Sequence, residues 1–177
     1  MTDGQASCAI PTRTDARDGS PPDRRSLRGA LGMFATGVTV ITTMKPDGSY
    51  AGFTANSFSS VSLEPPLVLW SLALSAPSLP VFEACSHYAI HVLAADQVHL
   101  SQRFATSGTD RFAGLELWPG AGGAPLLPGC CAWFECANEA RHPGGDHLIF
   151  IGRVLAYARE ERSPLIFHES RYRQIAD

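Results

Sequence analysis

The chain has 177 residues, of which 45% are hydrophobic and 18% charged, with a formal net charge of −3. That composition belongs to an ordinary globular protein with room for a sizeable core. It excludes the basic field that nucleic acid requires, and no apolar run is long enough for a membrane span. Residues 1–22, rich in Thr, Asp, Gly, Ser and Pro, predict a disordered tail ahead of one domain over 23–177. The N-terminus carries Asp3, Arg13 and Asp15 and lacks an apolar h-region, so no signal peptide is expected. Five cysteines stand at 8, 85, 130, 131 and 136 with no CxxC pair. That points to a reducing compartment, the cytoplasm, and to structural thiols.

The predicted elements follow in chain order. Leu27, Ala30, Leu31 and Phe34 form one helical stripe, predicting a helix over 24–35 with Asp23 or Ser26 as cap and Gly37 as a left-handed stop. The β-branched run Val38 to Thr43, the turn Lys45-Pro46-Asp47-Gly48 and Tyr50 to Asn56 read as a hairpin. Leu67 to Leu74 is nearly continuous in apolar residues, hence a strand covered on both faces. Pro77-Ser78 opens a short helix through Cys85, with Ser75 or Ser78 as caps. His87 to Leu93 is a strand, and Asp96 to Phe104 a helix with Val98 and Phe104 facing inward. Residues 106–129 read as loop. Cys131 to Glu139 and His147 to Tyr157 form a hairpin across Pro143-Gly144-Gly145, and Pro164 to His168 is a last strand before Tyr172. Short connections and no βαβ alternation make the fold mainly β with flanking helices, an antiparallel barrel.

The segment Gly52-Phe53-Thr54-Ala55-Asn56-Ser57-Phe58-Ser59-Ser60-Val61-Ser62-Leu63-Glu64-Pro65-Pro66 is unusual. It is too poor in large side chains to serve mainly as core, and it offers close-set N–H groups and short polar side chains to a flat, polar-edged ligand. Gly52 and Ala55 would leave the backbone open to close approach. No GxGxxG, Walker A, HExxH or GxSxG pattern occurs, so any nicotinamide nucleotide must be held without a Rossmann unit. Cys131 and Cys136 fall on opposite strand faces, and Cys130 and Cys136 lie about 20 Å apart at strand rise. Neither these nor His87, His91 and His99 make a metal set, and none is expected.

Six stretches in register resemble the flavin reductase-like family, the short-chain reductases of two-component flavin monooxygenases. They are Ala35 to Thr43, Thr54 to Pro66, the apolar strand after it, Phe104-Ala105 with Asp110-Arg111-Phe112, Gly123 to Leu127, and Gly145-Asp146-His147 through Val154. The resemblance covers about 25–173 and implies a split β-barrel, Greek-key-like, that forms a homodimer with flavin in a groove beside the barrel. It implies flavin contacts from Thr54, Ala55, Asn56, Ser57 and Phe58, continued by Ser60 and Val61. Ser75 and Ser78, in a stretch where relatives often carry Lys or Arg, would approach the ribityl phosphate at a helix start. Phe104 would lie near the flavin, and His147 at the nicotinamide side, with Asp146 orienting its ring or capping the turn. Arg111 would pair with Asp110 or reach a phosphate, and Tyr172 matches a tail position near the nicotinamide.

The implied activity is hydride transfer from NADH or NADPH to FMN or FAD, with reduced flavin diffusing to a partner monooxygenase. A non-catalytic FMN-binding protein, or a flavoenzyme acting directly on a small organic substrate, is the alternative.

Overall fold

A computed structural model describes residues 23–108 and 110–175, so the tail expected over 1–22 lies outside the described residues. The chain divides into two units, Met1–Phe34 and Ala35–Asp177. In the first, helix α1 (Arg24–Leu31) starts where the Asp23 carboxylate accepts from the N–H groups of Arg25 and Ser26, at 3.4 and 2.8 Å. Such a cap satisfies donors that the first helical turn cannot. The helix stops at Leu31 with Gly32 as C-cap, short of the expected 35. Gly37 is not the stop. It pairs with Ile166 as part of a strand.

The second unit holds β1 (Thr36–Gly37), β2 (Thr39–Met44), β3 (Tyr50–Ala55), β4 (Ser59–Leu63), β5 (Pro66–Ala73), α2 (Leu79–Ala84), β6 (His87–Val92) and α3 (Val98–Ala105). After them come β7 (Trp118–Pro119), β8 (Pro125–Leu126), β9 (Ala132–Gly144), β10 (His147–Arg159), β11 (Ile166–His168) and β12 (Arg171–Arg173). Seven strands pair antiparallel in the order β3-β2-β6-β9-β10-β5-β4. The long hairpin β9–β10 reaches Gly144, so its turn is Gly145-Asp146 and Pro143 is paired with Leu148. The expected loop over 106–129 contains the small β7–β8 pair, and the C-terminus adds β12 to the strand foreseen there.

The strands covered on both faces are β2 and β6, not β5. Ile41, Tyr88 and Ile90 belong to a cluster with Val68, Trp70, Leu72, Phe82 and Phe150. On the opposite face Val40 and Leu93 join Leu100, Phe104, Leu127 and Leu165 under α3. A strand between two cores must be apolar at odd and even positions alike, which is why Val38 to Thr43 is β-branched throughout. In β5 burial alternates, with Val68, Trp70 and Leu72 in the core and Leu67, Leu69 and Ser71 half-buried.

Trp70 and Phe150 are cross-strand partners whose rings stack at 4.0 Å. Both are fully buried, each worth roughly 1.5–3 kcal/mol of burial. Gly152 lies at a bulge of β10, beneath the buried Tyr88 ring. A Cβ there would overlap the Tyr88 hydroxyl and stand 2.9 Å from its Cζ and 3.1 Å from the Cys136 Cβ. Gly152→Ala is therefore expected to cost about 1–3 kcal/mol through overpacking, read as a lower urea midpoint at unchanged slope.

His91 is fully buried, its Nδ1–H donating to the Val40 carbonyl at 2.9 Å. Burial lowers its pKa from 6.5 to about 4. The folded state therefore binds this proton less well than the unfolded chain. Its contribution is complete above pH 6.5 and is lost as pH falls through the window down to 4, by an amount on the order of 3 kcal/mol. In His91→Asn, which keeps a donor for Val40, that part of the acid slope should vanish from unfolding curves taken between pH 7 and 4.

Candidate functional site at the barrel seam

In the linear strand order β3 and β4 are opposite edges of the sheet, yet only Asn56, Ser57 and Phe58 separate them in sequence. The chain thus crosses from one edge to the other, and these three residues lie outside every ladder. Ser57 ties the crossing to β5: its hydroxyl accepts from the Ser71 N–H at 3.0 Å and donates to the Ser71 carbonyl at 3.2 Å. One hydroxyl makes the two bonds that a strand partner would otherwise supply.

A pocket of about 230 Å³ opens at this crossing, lined by Phe53 through Ser57, by Ser71, Leu72 and Ala73, and by His147. Register explains the last contact, since His147 pairs with Ala73 at the start of β10. The His147 side chain is 45% exposed, and its Nδ1 lies 2.7 Å from Asp146 Oδ1. A carboxylate accepts only, so in the neutral ring the proton sits on Nδ1 and Nε2 is an acceptor.

Of the residues singled out from sequence, Thr54, Ala55, Asn56, Ser57 and His147 meet in this pocket. Phe58 packs beside it on Phe134, ring centroids 5.5 Å apart. Ser60 and Val61 are exposed on β4 and do not line it. Ser75 is exposed, while Ser78 lines a separate, larger groove at the start of α2, with no side-chain cap bond. Phe104 is wholly buried in the second core, 5.1 Å from Phe112.

Those two rings correct the reading of Gly52. A Cβ at Gly52 would stand 2.9 Å from Phe104 and 3.0 Å from Phe112, so aromatic packing fills the space expected to admit a ligand. Ala55 likewise turns its methyl into the core. Thr54 donates to the Ser101 carbonyl at 2.6 Å, and the Ser101 hydroxyl meets Tyr172 at 2.9 Å. Arg111 donates to the carbonyls of Thr106 and Gly52, and Asp110 accepts from the Phe112 N–H. Ser71 was missed from sequence, although a lone hydroxyl inside the apolar run Leu67 to Leu74 was the available signal.

The donor set suits a flavin ring. Main chain freed from any ladder is flanked by small side chains, and the Thr54 and Ser57 hydroxyls are already committed within the protein. What the pocket offers a ligand is therefore backbone polarity, the Asn56 amide and the His147 ring. A split antiparallel barrel with such a pocket at its seam belongs to the class of flavin-binding split barrels.

The chain belongs to the flavin reductase-like family: the sequence profile described as "Flavin reductase like domain" matches residues 31–176. It is 50% identical over 143 residues to FMN reductase (NADH) SmoA of Agrobacterium fabrum, covering 81% of each chain. Over 155 residues it is 41% identical to HsaB, the reductase subunit of a flavin-dependent monooxygenase of Rhodococcus jostii, covering 86% of this chain and 78% of that one. Among solved structures it resembles the Streptomyces globisporus NADH:FAD oxidoreductase SgcE6 in complex with NAD and FAD fragments. There the TM-score is 0.83 at 40% identity, over 87% of this chain and 93% of the other.

Ser57→Ala leaves the Ser71 N–H and carbonyl without their partner. The expected loss is about 1–3 kcal/mol of stability, against less than about 0.5 kcal/mol for exposed Asn56→Ala. Urea unfolding of the two variants side by side checks the difference.

Proposed function

We propose that this protein is an NAD(P)H:flavin oxidoreductase that transfers a hydride from a reduced nicotinamide to FMN or FAD and supplies reduced flavin to a separate monooxygenase component. The observation that carries this reading is the single pocket in which the ladder-free Thr54–Ser57 crossing and His147 meet. When bound, the flavin carries the electronic part of the reaction. The protein contributes position and polarity.

Thr54, Ala55, Asn56 and Ser57 hold the ring's polar edge through main-chain groups and the Asn56 amide. Preorganised donors of this kind stabilise charge without reorganising. His147, tethered by Asp146, orients the nicotinamide nucleotide by stacking or through a ring nitrogen. Orientation at near-contact distance is what such a transfer requires of a protein. No acid–base dyad is invoked.

The reductase domain on this reading spans 23–177, and the protein acts as a homodimer in the cytoplasm. Leu27 and Leu31 on α1, Phe34 just after it, and Leu63, Leu155 and Tyr157 on the barrel unit are exposed apolar side chains of the kind a second copy would cover. Cys85, Cys130, Cys131 and Cys136 are free thiols, in keeping with a reducing compartment. Among the described residues no helix is long and apolar enough to cross a membrane.

The test is NADH and NADPH oxidation at 340 nm with FMN or FAD as acceptor. Turnover dependent on added flavin supports the reading, and flavin binding without nicotinamide oxidation overturns it. Asn56→Ala should raise the flavin Kd about tenfold, the effect of roughly 1.4 kcal/mol. His147→Ala should raise the KM for the nicotinamide severalfold while leaving the flavin Kd near its wild-type value.

A further inference from the structure

Ser101 is the one polar residue on the buried face of α3, 1% exposed beside Leu100 and Phe104. A hydroxyl sunk among apolar side chains costs free energy unless it is bonded. Its partner belongs to another element: Ser101 Oγ lies 2.9 Å from the Tyr172 hydroxyl, 71 residues further along the chain. The carbonyl of the same residue accepts from the Thr54 hydroxyl at 2.6 Å. One residue of α3 thus joins β12 to β3, and Thr54 lines the seam pocket.

Tyr172 is held firmly for this contact. It pairs with Phe167 across β11 and β12, ring centroids 5.7 Å apart, and both rings pack against the core of Leu100 and Phe104. The turn between these strands is Glu169-Ser170, with φ at 48° and 61°. Two non-glycine residues in the left-handed region are costly, and such strain persists only where the surroundings over-determine it. Here the surroundings are the core contacts of the two rings and the hydroxyl bond to Ser101.

Helix α3 in turn meets the pocket strand at two points. Ser101 holds Thr54, and Phe104, one turn on, fills the space at Gly52, two residues before Thr54 on β3. The seat of α3 is therefore felt at the strand end that leads into the crossing. Because the Thr54 hydroxyl is committed to Ser101, this residue offers a ligand its position and its main chain.

We propose that Tyr172 is a positioning residue for the ring at the seam, acting through Ser101 on Thr54. The inference rests on the flavin reading above. Tyr172 is not among the residues lining the pocket, so its hydroxyl acts on the ring by fixing α3 and, with it, the wall that Thr54 forms.

FMN is the probe, titrated by fluorescence quenching into the full chain as wild type, Tyr172→Phe, Ser101→Ala, Thr54→Val and the Tyr172→Phe/Thr54→Val double variant. A urea unfolding curve shows that each is folded. Tyr172→Phe removes only the hydroxyl and should raise the FMN Kd about fivefold, the worth of one neutral hydrogen bond, while the KM for NADH holds. Ser101→Ala, which spares the carbonyl, should match it. Thr54→Val should raise the Kd as well, and Tyr172→Phe added to it should change nothing more, as for residues acting in series. A merely structural tyrosine would lower the urea midpoint and leave the Kd untouched, which overturns the proposal. A raised KM for NADH at unchanged FMN Kd overturns it too, and so do effects that multiply independently in the double variant. Failure of the wild type to bind FMN would sink the flavin reading and this inference with it. Wild-type binding with an equal Kd in Tyr172→Phe sinks this inference alone.

Discussion

A barrel built from a sheet with two free edges has to bring those edges together, and here the chain itself crosses from one to the other in three residues. Asn56, Ser57 and Phe58 carry the chain from the β3 edge to the β4 edge. The Ser57 hydroxyl takes both backbone bonds of Ser71. A backbone ladder in that position would have consumed the polar groups of the crossing; a hydroxyl bridge leaves them outside any ladder. The short crossing therefore joins the two edges and lines the pocket, with Ser57 fastening it to β5. Small side chains are required for both ends, because a bulky residue at 55–57 would hold the edges apart and cover the main chain.

Rigidity around the seam comes from two cores that share strands. Trp70 on β5 packs on Phe150, Tyr88, Phe82 and Phe53, so the strand bearing Ser71, Leu72 and Ala73 is anchored from beneath. On the other side Phe104 and Phe112 fill the space at Gly52, and Thr54 is tied to α3 through the Ser101 carbonyl. Tyr172 meets the Ser101 hydroxyl, extending the support to the C-terminal strand. Packed cores hold such positions to fractions of an ångström. A site whose contribution is placement needs that precision more than it needs reactive groups.

Much of this was legible in the residues. The β-branched run at 38–43, the turn at 45–48 and the hairpin around 145 carry local signals that tertiary structure did not override. The small-residue stretch at 54–57 lines the seam pocket, though Ala55 also turns its methyl into the core. Misreadings came where one residue type serves two ends. Gly52 suggested room for a ligand, yet two aromatic rings distant in sequence occupy that space. The continuous apolar run at 67–74 suggested burial on both faces, but Leu67, Leu69, Ser71 and Ala73 are only half-buried, the last two at the seam pocket. Phe104 carries family resemblance and core burial together, and only coordinates separate the two. Ser60, Val61 and Ser75 fall away from the pocket because β4 is an exposed edge and α2 begins at Leu79, features set by long-range pairing.

The division of labour among hydroxyls bears on how the site reads its ligand. Thr54 and Ser57 look like flavin-binding side chains in sequence, but both hydroxyls are bonded to protein backbone. What the seam leaves open to a ligand is then main-chain polarity, which no substitution removes directly, with the Asn56 amide and the His147 ring. A ring held by backbone and small side chains can be exchanged for another flat ring of similar edge polarity.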